Sequence, residues 1–320
     1  MKILAVQNRM GIGDTVIFLP FIKALYKKFG SPISLLVKES SKAEQYLDQM
    51  DYIGKIIILE RDSKNFNRHS GIFGSLNLIK DLNKYNFDKI FIFNSSLRYN
   101  LISKFSNIPE IYQYPLFEKR HQHIFETPKK MFKEKLNLDI KDDPEINLDK
   151  NLIDKSIKEF RINKNETNIL LGIGGSGPTK RIPSKIFLEV IGLIKKIRKC
   201  RFFLATGKNK EEQIILREIL NSNYKDFCEP LDDLTIKQIL PVIKNCDISI
   251  CNDTSFSHLS AALGIKTITL MADTPLIYGN YSSKMFPIIP DGEKIVGHNT
   301  LGKEKISSEK IFEKFTQIVN

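Results

Sequence analysis

Short apolar runs alternate with amphipathic stretches along the first half of the chain. Runs of four or five apolar residues favour buried strands, and apolar residues at helical spacing favour helices that cover them. Strands are predicted at 2–6, 33–37, 55–59 and 89–93, and helices at 15–29, 41–50 and 72–85. This strand–helix alternation predicts a parallel sheet with helices on its faces.

The same alternation restarts after a polar segment, 137–166. Strands are predicted at 168–173, 201–205, 247–252 and 266–271, and helices at 183–199, 210–221, 235–244, 254–263 and 307–319. A length of 320 residues suits two domains. We therefore predict an α/β protein with domains at 1–150 and 151–320, in which the last helix can pack back on the N-terminal domain.

Composition indicates a soluble globular protein without a metal site. Hydrophobic residues make up 42% and charged residues 27%. No apolar segment approaches the roughly 18 residues of a membrane-spanning helix, and the N-terminal apolar stretch is short for a signal peptide. These features predict a cytoplasmic location. The four cysteines lack zinc-ligand spacing, which predicts reduced core thiols and no metal or other cofactor.

The formal net charge of +12 has two interpretations. It suits an acidic partner, such as nucleic acid, an anionic membrane surface or a phosphorylated or carboxylated substrate. It also suits a lysine-rich genome, because the lysines are spread along the chain. No basic stretch is interleaved with aromatic residues, so nucleic acid is the least favoured acidic partner.

The stretch "GIGDTVIFLP" places Asp14 at the predicted junction between the first strand and the first helix. As a helix N-cap, this aspartate would accept bonds from free backbone N–H groups. Alternatively, a carboxylate at the carboxyl end of a strand can take a proton from a substrate hydroxyl. The positive end of the helix would favour the ionised form that a base requires. The stretch alone leaves both roles open.

The stretch "LLGIGGSGPTKRIP" contains a GxGxxG pattern at Gly172, Gly174 and Gly177. A nicotinamide cofactor is disfavoured, because the helix begins after Pro183 and the next strand ends without an acid for a ribose diol. Glycines, a serine and two following cations, Lys180 and Arg181, instead suit a phosphate. A solvated loop with a basic tip is the alternative.

The stretch "CNDTSFSHLSAALG" ends a strand and opens a helix at Asp253, Thr254 and Ser255, with His258 in the first turn. Free backbone amides at such a helix end bind anions. His258 is equally compatible with a packing role. After another strand, Glu211 suits a ribose hydroxyl or simply the acidic first turn of a helix.

These three stretches together resemble glycosyltransferase family 9, the ADP-heptose:lipopolysaccharide heptosyltransferases. The resemblance implies a GT-B architecture, in which two Rossmann-like domains face a central cleft. It implies an inverting, metal-independent transfer of a heptose or related sugar from an ADP-sugar to an acidic lipopolysaccharide core acceptor. The acceptor would lie on the N-terminal side and the nucleotide-sugar on the C-terminal side. It also implies peripheral contact with the cytosolic face of an anionic inner membrane.

The resemblance also assigns roles to residues. Asp14 matches the proposed catalytic base, and Lys180 the lysine that binds the donor diphosphate, with Arg181 beside it. The other positions implied to bind the donor are Gly175 and Ser176 at the phosphates, Leu234 at the adenine, Glu211 at the ribose, and Asp253, Thr254, Ser255 and His258 at the diphosphate.

Two stretches depart from the family pattern. Ser255 replaces the glycine of the usual Asp-Thr-Gly, and "MADT" at 271–274 replaces the usual "FGPT". These departures leave two alternatives. One is a glycosyltransferase that uses another nucleotide-sugar, and the other is a non-catalytic protein that binds a nucleotide-sugar or a glycan. An NAD-dependent oxidoreductase would rest on GxGxxG alone.

Overall fold

The computed structural model describes residues 1–9, 11–61, 67–117, 123–141, 143–175 and 177–319. The chain forms two compact units, Met1–Pro144 and Glu145–Asn320. The sequence analysis placed this division at 150/151. The backbone N–H of Ile146 donates to the Ala262 carbonyl, 2.8 Å away, so the segment before 150 is already bound within the second unit.

The first unit is a five-stranded sheet in the order β3-β2-β1-β4-β5 with every strand pair parallel. Its strands are β1 Ile3–Gln7, β2 Ile33–Lys38, β3 Ile53–Leu59, β4 Lys89–Ile92 and β5 Glu110–Gln113. Its helices are α1 Ile12–Phe29, α2 Gly71–Asn83, α3 Leu97–Phe105 and α4 Glu126–Leu136. Gly30 ends α1 in the left-handed conformation, with its N–H on the Tyr26 carbonyl, a common glycine C-cap.

The predicted helix at 41–50 is wrong. The structure has two 3₁₀ turns there, Glu39–Ser41 and Ala43–Gln45. Lys42 between them has a φ of 48°, a left-handed conformation that an α-helix cannot continue through. The apolar residues that suggested a helix, Tyr46 and Leu47, are nevertheless buried.

The second unit is a six-stranded sheet in the order β11-β10-β9-β6-β7-β8, again parallel throughout. Its strands are β6 Thr167–Gly172, β7 Cys200–Ala205, β8 Cys228–Pro230, β9 Ile248–Asn252, β10 Thr267–Leu270 and β11 Met285–Ile288. Its helices are α5 Lys150–Glu159, α6 Ser184–Ile197, α7 Lys210–Leu220, α8 Ile236–Lys244, α9 Ser255–Ala262 and α10 Ser308–Val319.

Apolar packing explains these elements. The central strands β6, β7 and β9 bury nearly every residue, as strands covered on both faces do. The last helix, α10, buries Ile311 and Phe315 in the core of the second unit, beside α6. The prediction of two Rossmann-like parallel-sheet domains is confirmed for each unit. No helix in the described part of the chain combines the length and apolar character needed to cross a bilayer.

Candidate functional site

The sheet topology of the second unit selects one position for a ligand. From β6 the chain continues to β7 and β8 on one side, then crosses to β9 and β10 on the other. Ligands of open α/β sheets bind at such a reversal of strand order, beyond the carboxyl ends of the strands. The loops that follow β6 and β9 carry the predicted residues Lys180 and Asp253 to this point.

Lys180, Asp253 and His258 form one charged cluster there. Lys180 Nζ donates to Asp253 Oδ2 at 2.7 Å, and His258 Nε2 lies 3.7 Å from Asp253 Oδ1. Burial alone would raise the pKa of Asp253, but the interaction with His258 and the charge of Lys180 outweigh burial and lower it. Asp253 is therefore a carboxylate at neutral pH, and it holds Lys180 in place.

Tyr281 completes the cluster. Its Oη lies 2.7 Å from Nδ1 of His258, and the two rings stack with centroids 5.6 Å apart. Since Nδ1 contacts the phenol, Nε2 is the ring nitrogen that faces Asp253. The sequence analysis missed Tyr281, because it lies 23 residues after His258 in a segment without regular pattern.

The N-terminus of α9 adjoins the same cluster. Thr254 is the N-cap, and its side chain accepts a bond from the backbone N–H of Phe256. Ser255 is the first helical residue and is half-buried, so its hydroxyl accompanies the backbone amides of the first turn. The position is that of an anion site at a helix N-terminus.

The glycine-rich loop after β6 is held by buried polar contacts. The backbone N–H of Gly175 donates to Glu212 Oε1 at 2.6 Å, and Arg181 Nε donates to the Gly175 carbonyl at 2.8 Å. A Cβ on Gly174 would lie 2.5 Å from that same Glu212 oxygen, so only glycine leaves room for the carboxylate. Ser176 lies outside the described residues.

Glu211, in the first turn of α7, and Leu234, in the turn before α8, follow the carboxyl ends of β7 and β8. Glu211 is exposed and pairs with Arg181, whose own side chain is buried. Leu234 is half-buried, and its N–H donates to Leu231 in the turn before α8. Gln213 Nε2 donates to Asp232 Oδ2 at 3.2 Å and so joins α7 to the turn before α8.

The "MADT" stretch is buried and performs a structural task. Asp273 Oδ1 accepts a bond from the backbone N–H of Leu301 at 2.9 Å, and the Gly302 N–H donates to the Ala272 carbonyl. Burial by itself would raise the pKa of Asp273, but hydrogen bonds from the Leu301 N–H and the Thr179 hydroxyl lower it. The stretch therefore ties the 301–302 segment to Thr179, the neighbour of Lys180.

In the first unit, Asp14 lies at the corresponding reversal of strand order, between β1 and β4. It is the third residue of α1, whose N-cap is Gly11, so it is not the cap of its helix. Its side chain is 27% exposed, with an oxygen 3.9 Å from Arg9. Gln7 Nε2 donates a hydrogen bond to the backbone carbonyl of Asp14, and Asn94 Nδ2 donates to Asn8 Oδ1.

Comparison with known proteins identifies the family. The model of glycosyltransferase family 9 (heptosyltransferase) matches residues 110–315. The chain belongs to glycosyltransferase family 9. The match includes every predicted donor-side residue. Asp14 lies before it.

This family 9 chain is also similar to individual known proteins. It is 28% identical over 158 residues to lipopolysaccharide heptosyltransferase 1 of Campylobacter coli, a match that spans 47% of this chain and only 46% of that protein. Among solved structures, a glycosyl transferase family 9 protein from Veillonella parvula has a TM-score of 0.80 at 16% identity, with 99% and 97% of the chains covered. E. coli ADP-heptose LPS heptosyltransferase II has a TM-score of 0.74 at 16% identity, with 100% and 98% covered.

The family 9 chain thus brings part of its predicted site together. Lys180, Asp253 and His258 meet directly, and Gly175, Arg181 and Glu211 meet beside them. The sequence analysis missed Glu212 as the anchor of the loop. Asn209 followed three residues later by Glu212 has capping-box spacing, which marks Glu212 as a residue of the first turn of α7 but does not reveal its bond to Gly175.

Proposed function

We propose that this family 9 protein transfers a heptose or related sugar from an ADP-sugar to an acidic lipopolysaccharide core acceptor, with inversion and without a metal ion. The Lys180–Asp253–His258 cluster at the β6/β9 reversal carries the proposal. Two observations outside the cluster support it, namely family membership and the position of Asp14 in the first turn of α1, the helix that follows β1.

On the donor side, Lys180 would neutralise the diphosphate. An ammonium has three N–H donors, and Asp253 accepts one of them, so Lys180 can also donate to phosphate oxygens. The α9 N-terminus adds backbone amides, and Arg181 holds the loop between them. These groups would stabilise the negative charge that develops on the departing ADP, which is the task a metal ion performs elsewhere.

On the acceptor side, Asp14 would act as general base. The acceptor oxygen attacks the anomeric carbon from the face opposite the diphosphate and its proton passes to the Asp14 carboxylate. The bond from the anomeric carbon to the diphosphate oxygen breaks, and its electron pair leaves with ADP. Arg9 and the α1 N-terminus both stabilise a negative charge at Asp14. The remaining donor-side assignments are ribose binding by Glu211 and adenine binding by Leu234.

We further propose that the protein works in the cytoplasm in peripheral contact with an anionic membrane, because its acceptor would be lipid-anchored. The net charge of +12 supports this contact. Ser255, a side chain where the family usually has glycine, favours a second candidate, a protein that binds the nucleotide-sugar without turnover.

Calorimetric titration with ADP, ADP-heptose and UDP- and GDP-sugars in EDTA tests the donor assignment. We expect ADP compounds to bind, and Lys180→Ala to weaken their binding about 10- to 100-fold, since a charged hydrogen bond is lost. Lys185→Ala, an exposed lysine on α6, is the matched control and should bind normally. Unchanged affinity in Lys180→Ala would remove Lys180 from the diphosphate site. Binding without turnover on any acceptor would favour the second candidate.

A further inference from the structure

The first unit concentrates exposed hydrophobic side chains on two adjacent helices. Thirteen large hydrophobic residues are exposed in the described part of the chain, and six of them lie on α2 and α3, which hold 13 and 9 residues. Their exposed fractions run from 42% to 83%. Such a concentration marks an interaction surface rather than scattered surface residues. We call these six residues the apolar face: Ile72, Phe73, Leu76, Leu97, Leu101 and Phe105.

Helical spacing makes the apolar face continuous. On α3, Leu97, Leu101 and Phe105 follow one another at four-residue intervals and therefore line one side of the helix. On α2, Ile72 and Leu76 have the same spacing. The two helices pack together, and each buries its opposite side in the core of the unit.

A polar contact joins the N-terminal halves of the two helices. Arg98 Nε on α3 donates to Ser75 Oγ on α2 at 2.9 Å, and the same guanidinium donates to the His69 carbonyl. Ser75 lies directly beside Leu76, and Arg98 directly after Leu97. The contact therefore holds the helix segments that carry Leu76 and Leu97 side by side.

Two exposed lysines, Lys80 and Lys104, lie beside this face. Residues 67–109 contain six lysines and arginines but only two aspartates. One of these, Asp81, is mostly buried and is paired with Arg68 and Lys84. Lys80 lies one turn after Leu76, and Lys104 lies beside Phe105; both are exposed.

We propose that the apolar face is the surface by which the protein docks on a bilayer with anionic headgroups, an inference that rests on the proposed function for its lipid-anchored acceptor. Apolar side chains would enter the boundary of the acyl chains, and the adjacent lysines would meet the headgroups. Charge argues against a second copy of this chain as occupant, because face-to-face contact would bring the Lys80 and Lys104 cations of both copies together.

Sedimentation with vesicles tests the docking surface. The quadruple variant Phe73→Ser, Leu76→Ser, Leu101→Ser, Phe105→Ser should bind phosphatidylglycerol-containing vesicles at least about tenfold more weakly than wild type. The double variant Lys80→Gln, Lys104→Gln should lose about fivefold per lysine at low salt. Ile295→Ser and Lys185→Gln replace exposed residues of the second unit and should bind as wild type does.

Two further measurements separate this proposal from the proposed function. ADP affinity and transfer to a deacylated, soluble acceptor should be unchanged in the quadruple variant, which also shows that it folds. If no variant transfers sugar to any acceptor while vesicle binding still depends on the apolar face, the surface assignment stands and the proposed function falls. Equal vesicle binding by wild type and the quadruple variant would overturn the docking surface. A wild-type protein that is dimeric and does not bind vesicles, together with a monomeric quadruple variant, would also overturn it.

Discussion

At the scale of single residues, Asp253 keeps its charge in a buried position because two basic side chains surround it. Its carboxylate is 4% exposed, and Lys180 and His258 contact its two oxygens. Removal of either partner would leave the buried carboxylate only partly compensated, which costs more than the lost ion pair itself contributes. The cluster therefore fixes the direction in which Lys180 points.

Asp253→Asn should lower the free energy of unfolding by about 2–3 kcal/mol at pH 7. This is less than for a fully buried ion pair, because Lys180 is partly exposed and solvent screens its charge. The folded-state pKa of Asp253 is lowered, so its stabilisation is fully present above the unfolded-state pKa of about 3.9 and is lost as pH falls toward the folded-state pKa. Urea unfolding at pH 7, 5 and 3 measures this. A difference between variant and wild type that stays constant down to pH 3 would contradict it.

Residue types at the site were predictable, but their pairings were not. The sequence places Lys180 after one predicted strand and Asp253 after another, 73 residues apart. Only the strand order, which puts β6 beside β9, makes them neighbours. Asp14 posed the opposite difficulty. The sequence left open whether Asp14 is a helix cap or a base. The helix N-cap is Gly11 and not Asp14, three residues later, and this choice depends on local backbone geometry.

At the scale of elements, one buried carboxylate anchors the glycine-rich loop to α7. Glu212 accepts from Gly175 and lies against Gly174 and Gly207, where any side chain would collide with it. Two glycines of the stretch, Gly172 and Gly174, are thus explained by close neighbours, Cys251 and Glu212. The first two glycines of the GxGxxG pattern therefore reflect close packing at the end of β6.

Glu212→Ala should therefore destabilise the second unit by about 1–3 kcal/mol, since the buried Gly175 N–H loses its acceptor. Glu212→Gln keeps an acceptor oxygen and should retain most of that stability. We also expect weaker ADP binding in the alanine variant, because the loop carries Lys180 and Arg181. Thermal unfolding and calorimetry on the two variants compare these effects. Equal stability of the alanine and glutamine variants would rule out the anchor.

The predictability of the strands followed the length of their apolar runs. Central strands such as β1, β6 and β9 are almost completely buried and mostly apolar, and they were predicted within two residues of their ends. Three of the four edge strands, β5, β8 and β11, were missed, whereas the edge strand β3 was predicted from its apolar run. Their sequences, EIYQ, CEP and MFPI, are short, partly exposed and include polar residues or proline, so they lack an apolar run. Their strand state depends on the neighbouring strand.

At the scale of the whole molecule, the proposed reaction draws on both units. Asp14 belongs to the first unit, and Lys180, Asp253 and His258 belong to the second. Each group follows a central strand at the reversal of its sheet. In the proposed function, donor binding uses the second unit, whereas the chemical step also requires Asp14. The two can therefore be separated experimentally.

The most direct measurement is transfer from ADP-heptose to a lipopolysaccharide core acceptor in EDTA, followed by mass spectrometry, with wild type, Asp14→Asn and the exposed control Asp51→Asn. We expect wild type and the control to add one sugar. Asp14→Asn should be about 10²- to 10⁴-fold slower with unchanged ADP affinity, because only proton removal is lost. Transfer by Asp14→Asn at the wild-type rate, or no transfer by wild type with any ADP-sugar, would contradict the account.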